Sequence, residues 1–540
     1  MLSQLDQAEA HAAPPRVAPR SASDADGDAL TADAAPDFVV IGGGPAGLTA
    51  AYEAAEHGRR PLVLEKGEIV GGISRTETYK GYGFDMGGHR FFTKSAEVRN
   101  LWDTVLAENG ESFLKRPRLS RIFYGGKFYN YPLKPLNALK NLGWYESAWL
   151  MASYMRWKVF PHKQEETFEE WVVNRFGRRL FRTFFKTYTE KVWGISTQEL
   201  KAEWAAQRIK NLSLRKAVLG GVIKPKHGNI TTLIEEFHYP RHGPGLLWEC
   251  FASSVEKRGG RVERKATVEQ VHRDGNTVTG VTWTDADGKS HREDSGAPVI
   301  NSMPLAELVR RLDPPAPEPV LKAANSLKYR DFLTVCLIVD DPDLFPDNWI
   351  YIHDPSVKVG RIQNFGNWSP EMIPEGDRGK RSSLGLEYFC NEGDDLWSLS
   401  DAELVELAKK ELDRIGLCPA GKVKDGVVYR VPKSYPVYDA AYAGHVKVIR
   451  EFVDNLENLR TVGRNGLHRY NNQDHSMLTG LYAVRSLLKG ESHDLWSINA
   501  DQEYHEEVKN GERANGQVGR NVSVAASPNV APGIAAAAAT

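Results

Sequence analysis

Phe38-Val39-Val40-Ile41-Gly42-Gly43-Gly44-Pro45-Ala46-Gly47-Leu48 is the stretch whose reading decides the fold. Four consecutive apolar residues suit a strand buried on both faces, as in a parallel sheet. The glycines that follow fit GxGxxG, and Leu48 to His57 carries alanines and apolar residues at helical spacing. Gly58 stops that helix, and Pro61-Leu62-Val63-Leu64 reads as a second buried strand. In such a strand-turn-helix unit Gly42 makes the tight turn, Gly44 lets a pyrophosphate approach the backbone, and Gly47 lets helix and strand pack closely. The amides and positive dipole end of the helix then face the phosphates. Glu65 closes the second strand, placed to accept hydrogen bonds from a ribose 2′-hydroxyl. The pattern predicts an unphosphorylated adenosine dinucleotide.

Downstream, Gly71-Gly72-Ile73-Ser74 resembles the glycine doublet that FAD proteins of the glutathione-reductase type place near the pyrophosphate, which favours FAD over NAD. Gly72 and Ser74 are therefore expected at the cofactor. Near the C-terminus, Thr461-Val462-Gly463-Arg464 is a further strand and glycine turn before a helix. Gly463 and Arg464 are expected to close over the ribityl and pyrimidine end.

Between these anchors the pattern predicts an α/β chain, with a Rossmann-like FAD-binding domain interrupted by a helical and a mostly β insertion. The expected boundaries are a disordered tail at 1–36, FAD-binding segments at 37–112, 229–305 and 456–492, a helical substrate domain at 113–228, a β-sheet substrate domain at 306–455, and a disordered tail at 493–540. Hairpin turns at Asp274-Gly275-Asn276 and Asp287-Gly288 punctuate the second FAD-binding segment. A helix near Asp401 to Ile415 interrupts the strands of the β insertion.

The whole chain has 540 residues, 41% hydrophobic and 26% charged, enough for several cores and unlike a disordered or coiled-coil chain. Its 69 Lys plus Arg balance 70 Asp plus Glu, so no global field favours nucleic acid or an anionic membrane, and any anion site must be local. Four scattered cysteines show no CxxC spacing, which argues against a disulfide framework or a metal site and suits buried thiols in a cytoplasmic protein. No run reaches the length of a membrane span.

Three further segments carry chemistry-bearing residues: Gly87-Gly88-His89-Arg90-Phe91-Phe92, Lys191-Val192-Trp193-Gly194 followed by Trp204 and Arg208, and Tyr470-Asn471-Asn472-Gln473-Asp474-His475-Ser476. Taken in order they resemble the UDP-galactopyranose mutase family, within the wider amine-oxidase-like flavoproteins, over about Asp37 to Leu488. The resemblance implies that His89 positions the flavin and stabilises charge on its reduced form, and that Arg208 and Arg361 bind a nucleotide-sugar diphosphate. Tyr351, Tyr435 and Tyr470 would touch the same diphosphate, with Asn472 beside them. Trp193 and Trp349 can cover a sugar face or uracil ring, although a core role fits each equally.

The activity implied is interconversion of pyranose and furanose forms of a nucleotide sugar such as UDP-galactose, through attack of reduced flavin N5 on the anomeric carbon. NADPH or NADH would reduce the flavin. The alternative is an FAD-dependent oxidoreductase acting on an amine, a porphyrinogen or a polyene by hydride transfer. The chain can be an oligomer under either reading.

Overall fold

The computed structural model describes residues 35–131, 133, 135–202, 231–233, 235–499 and 507–509. Phe38–Ile41 is the middle strand of a five-stranded parallel sheet, in the order Arg261–Arg264, Pro61–Glu65, Phe38–Ile41, Val299–Asn301, Leu459–Thr461. Val40 sits between Val63 on one side and Ile300 on the other. All four residues of this strand are buried, as a strand covered on both faces requires.

Helix Pro45–Glu56 leaves the strand through the glycine turn, with Pro45 in its first turn. Its alanines let neighbours come close. Gly480, on helix Gln473–Lys489, packs where an added Cβ would lie 2.4 Å from the Ala46 carbonyl oxygen. A third helix, Pro244–Lys257, contributes Leu247, Trp248 and Phe251 to the same core.

A four-stranded sheet built on the hairpin Thr267–Asp274 and Thr277–Thr284 follows, with Asp274 opposite Thr277 across the expected turn. A seven-stranded sheet forms the other half of the molecule, in the order Val423–Pro436, Tyr329–Val339, Ser382–Cys390, Arg361–Asn364, Trp349–Ile352, Ser120–Tyr124, Lys127–Asn130. Helix Asp401–Arg414 covers it, opened by a capping box between Ser400 and Glu403. All four cysteines are buried and free.

Two expectations need correction. The helical insertion begins at Pro135, not at Phe113: Phe113–Pro117 pairs with Glu236–Pro240, and the hairpin 120–130 extends the large sheet through a parallel pairing of Ser120–Tyr124 with Trp349–Ile352. At the other end, the expected tail at 493–540 starts too early. Leu495 and Trp496 are buried, Trp496 donates its indole N–H to Asp454 (3.1 Å), and its carbonyl accepts from Arg469. Glu507–Lys509 pairs antiparallel with Thr231–Leu233.

Within the helical insertion, Phe168 to Phe185 is divided among several helical turns. Gly177 has φ +81°, and a Cβ there would press on the Tyr154 backbone at 2.8 Å. A π-helical turn over Arg182–Lys186 then leads into Thr187–Trp193, which Gly194 ends in the left-handed region.

Candidate functional site

A cavity of about 2720 Å³ runs from the Gly42–Gly47 turn, past the His89 loop, and into the helical insertion. Single small-molecule sites occupy about 300–1,000 Å³, so this space holds a dinucleotide with room for a second molecule.

At the nucleotide end the glycines fit their expected work. Gly42 has φ +97°, and a Cβ on it would lie 2.3 Å from Ser302 Oγ. A Cβ on Gly47 would lie 1.9 Å from the Gly42 carbonyl oxygen, so this turn closes only on glycine. Gly44 faces Gly72 from the second glycine turn, where a Cβ on Gly72 would lie 3.3 Å from Gly44 Cα, leaving a backbone-lined cradle. Glu65 holds the cradle's rim: one carboxylate oxygen accepts from the Gly43 amide (2.6 Å) and the other from the Gly67 amide (2.7 Å). Two lone-pair sites of that carboxylate remain for a ligand hydroxyl. The cradle, the uncapped helix start and the carboxylate suit a dinucleotide pyrophosphate and ribose.

Ser74, at the cavity lining, accepts from Trp248 Nε1 (2.8 Å) and donates to Gln473 Oε1 (2.9 Å), which ties the glycine doublet to the C-terminal helix. Gly463, with φ +83°, closes the turn against Ala46, and its amide donates to Thr479 Oγ1 (2.9 Å).

At the other end, His89, Arg361, Tyr435, Arg464 and Tyr470 line one region of the cavity, with Trp193, Tyr351 and Asn472 around it. The Tyr435 and Tyr470 rings stack at 5.7 Å, and the Arg464 guanidinium lies 4.5 Å from the Tyr470 ring centre. Arg464 spends two nitrogens on the carbonyls of Asn471 (2.9 Å) and Ser434 (3.2 Å), which fixes its charge in place. Trp193 meets Tyr435 edge-on at 6.3 Å, and Tyr351 meets Tyr188 edge-on at 5.5 Å.

Arg361 donates Nε (2.8 Å) and Nη2 to Glu387 Oε2, and Nη2 also to the Tyr435 hydroxyl (3.1 Å). Burial works against its charge, but the Glu387 carboxylate and the surrounding phenols outweigh that and hold it protonated, well above its ordinary value. Burial likewise raises the Tyr435 phenol to about 12, so it stays a neutral donor. Glu387 is fully buried and also accepts from Gln363 Nε2 (2.6 Å). Sequence reasoning missed it, although one carboxylate in the apolar run Leu384-Gly385-Leu386-Glu387-Tyr388-Phe389 signals a buried ion pair.

Burial, with help from the nearby Arg464 and Arg361 charges, holds the His89 imidazole down at about 3. It is neutral. Its Nδ1 meets the Gly87 carbonyl at 3.1 Å, and a carbonyl only accepts, so Nδ1 carries the proton and Nε2 is an acceptor. The fixed positive charge beside His89 belongs to Arg361 and Arg464.

Of the two roles open to it, Trp349 takes the core one. It is buried away from the large cavity, its ring flanked by the guanidinium groups of Arg90 (4.7 Å) and Arg118 (5.5 Å), with Trp368 beyond. It supports Tyr351 from behind. Arg208 and Trp204 lie outside the described residues. Lys191, quoted as part of the Lys-Val-Trp segment, donates to the carbonyls of Ile352 (3.3 Å), Asp354 (2.7 Å) and Val359 (3.1 Å). It fastens the helical insertion to the loop that precedes Arg361, and burial lowers its ammonium to about 8.

Residues 45–463 match the family model described as flavin-containing amine oxidoreductase. The fold is similar to reduced UDP-galactopyranose mutase, with a TM-score of 0.73 and 20% identity over 86% of this chain and 98% of that one. It is also similar to a putative protoporphyrinogen oxidase from Exiguobacterium sp. 255-15, with a TM-score of 0.61 and 17% identity over 84% of this chain and 99% of that one. Putrescine oxidase bound to putrescine gives 0.55 at 16% identity, over 84% and 99%. Among curated proteins, L-amino-acid oxidase of Echis ocellatus is 34% identical over 120 residues, 20% of this chain and 24% of that protein. The inactive all-trans-retinol 13,14-reductase of Danio rerio is 49% identical over 51 residues, 9% of this chain and 8% of that one. The matched segments thus span less than a quarter of these curated relatives. With the glycine turns, the Glu65 rim and the matched span in agreement, the chain belongs to the flavin-containing amine oxidoreductase family and takes FAD as its cofactor.

Proposed function

We propose that the protein interconverts ring forms of a hexose joined to a nucleoside diphosphate, with UDP-galactose as the type substrate. The observation that carries this reading is the pair of guanidinium groups, Arg361 and Arg464, set with Tyr435 and Tyr470 around the His89 loop. A diphosphate leaving group gathers negative charge as its bond to the sugar breaks, and fixed cations and phenol donors favour that state. Glu387 takes Nε and Nη2 of Arg361, which leaves Nη1 to meet a phosphate oxygen. Such a charge-assisted bond contributes about 1.5–3 kcal/mol. Tyr435 accepts from Arg361 and keeps its own proton to donate. Trp193 and Tyr351 bound the space beside them. Arg208, outside the described residues, is assigned the second diphosphate contact by the family resemblance.

Bound FAD, once reduced, supplies the nucleophile for ring exchange and is not consumed, and a nicotinamide cofactor is the expected reductant. Neutral His89 offers Nε2 as an acceptor and orients its loop. Dithionite-reduced protein given UDP-galactopyranose should yield the furanose form. Turnover seen only with oxidised protein and oxygen, on an amine or apolar substrate, would sink this reading.

One observation favours the second reading, an oxidoreductase. Beyond Tyr351 the cavity is apolar, lined by Leu142, Leu150, Phe168, Phe176, Leu180 and Phe184. That arm suits an apolar substrate better than a uridine.

A further inference from the structure

Exposed large apolar side chains are concentrated in one place. Of the ten among the described residues, eight lie between Leu139 and Phe160, the others being Leu119 and Val448. Six of the eight are far out in solvent: Trp144 (84%), Tyr145 (58%), Trp149 (51%), Met155 (54%), Val159 (62%) and Phe160 (62%). Scattered exposed apolar residues are ordinary, but a clustered run of aromatics and methionine is not. On helix Trp144–Val159 the exposed Trp144, Tyr145, Trp149, Met151, Met155 and Val159 spread over a broad outer arc that they share with Arg156 and Lys158, while Leu150 is buried on the inner side. Leu150 is the one buried residue of this helix, so most of its large apolar side chains face solvent.

Two further observations say what covers that face. Residues 127–163 hold Lys127, Lys134, Lys140, Arg156, Lys158 and Lys163 against the single acid Glu146, in a chain whose overall net charge is −1. Glu146 is paired to Arg179, so it does not offset the basic side chains on the outer face. The Arg156 guanidinium lies over the Phe160 ring at 4.5 Å, so a cation and an exposed aromatic share this surface. In addition, Leu139 (38% exposed), on the preceding helix Pro135–Leu142, and Met151 (39% exposed) both line the large cavity, so its apolar arm opens beside this surface.

We propose that the face carried by residues 139–160 docks on the surface of an anionic phospholipid bilayer, and that the apolar arm opening beside it admits a membrane-borne chain. Trp and Tyr suit the headgroup level, Met, Val and Phe the upper acyl region, and Lys and Arg the anionic heads. No helix among the described residues is long and apolar enough to cross a membrane, so the contact is with one leaflet. The inference is independent of whether the cavity performs ring exchange or hydride transfer.

The test is co-sedimentation of the FAD-loaded protein with phosphatidylcholine vesicles, with or without phosphatidylglycerol. Binding is expected with phosphatidylglycerol at low salt and should weaken as salt rises. Trp144→Ser with Trp149→Ser should lower the partition coefficient about tenfold or more, while flavin absorbance and gel-filtration volume stay unchanged. Brominated lipid should quench the tryptophan emission of the unaltered protein, a readout that needs no variant. Absence of both pelleting and quenching overturns the proposal. So does a dimer that the double variant converts to monomer with no vesicle binding, since the face would then belong to a second copy.

Discussion

Replacing Glu387 by Gln removes one charge from the buried pair with Arg361 while keeping the side chain's shape, and it should move two properties in opposite directions. The carboxylate is fully buried and accepts from Arg361 twice and from Gln363 once. Breaking a buried pair by neutralising one partner costs about 3–5 kcal/mol, and the retained Gln363 contact favours the lower end. The urea midpoint, followed by loss of the bound-flavin spectrum, should fall accordingly. Affinity for a diphosphate should rise. A ligand phosphate on the far side of the guanidinium would sit about 6–8 Å from the removed charge, a repulsion of about 2–3 kcal/mol at an effective dielectric of 20. UDP titrated calorimetrically into the variant should therefore bind roughly thirtyfold tighter or more, and excess UDP should restore part of the lost stability. A lower midpoint with unchanged UDP affinity would show that Arg361 does not reach the diphosphate. An unchanged midpoint would refute the buried pair.

Further expectations follow from neighbouring parts of the site. Gly47→Ala should give protein without yellow colour, because its Cβ would lie 1.9 Å from the backbone oxygen of Gly42; absorbance near 450 nm after purification checks this, and a fully yellow variant would contradict the turn geometry. Glu65→Ala frees the Gly43 and Gly67 amides and removes a ribose acceptor, so FAD should bind about 10- to 100-fold more weakly in an equilibrium flavin-release assay. On the acid side, burial lowers the imidazoles of His89 and His353 from 6.5 to about 3 and that of His468 to about 4. The unfolded chain then binds more protons than the folded one below pH 6.5. The stability these histidines contribute is complete above that pH and is lost as pH falls toward their folded values, by about 1.4 kcal/mol per histidine per pH unit. Urea midpoints measured from pH 7 to pH 5 should decline, and His468→Gln should flatten the slope; a flat profile for the unaltered protein would refute the neutral buried histidines.

The nucleotide-binding sheet was legible because its signals are local: four apolar residues, a glycine turn and a carboxylate lie within 28 residues, and each constrains the next. The hairpin at Asp274 to Thr277 and the strands of the large sheet follow from equally short patterns. What escaped depends on distant partners. Ser120–Tyr124 alternates weakly and carries Arg121, and it becomes a strand because Trp349–Ile352 lies beside it, more than two hundred residues away. The same distance hides the fate of Trp349, whose ring is covered by arginines from two other segments. Nothing local to Gly71-Gly72-Ile73-Ser74 announces that Trp248 and Gln473 share the Ser74 hydroxyl. His89 was visible as a candidate site residue, but the downward shift of its imidazole was not, since that comes first from burial and then from Arg464 and Arg361, all brought about only by folding.

The close seat of Gly480 on Ala46 has a consequence for how the protein is made. The first βα unit emerges early from the ribosome, yet one flank of its sheet, the partner of its helix and the glycine turn at Gly463 all come from residues 459–489. A nascent chain therefore carries an unfinished nucleotide fold through nearly its whole synthesis. FAD loading is expected to wait for these residues, and a chain truncated before residue 459 would lack the strand and helix that complete the fold, leaving it exposed to chaperones and proteases.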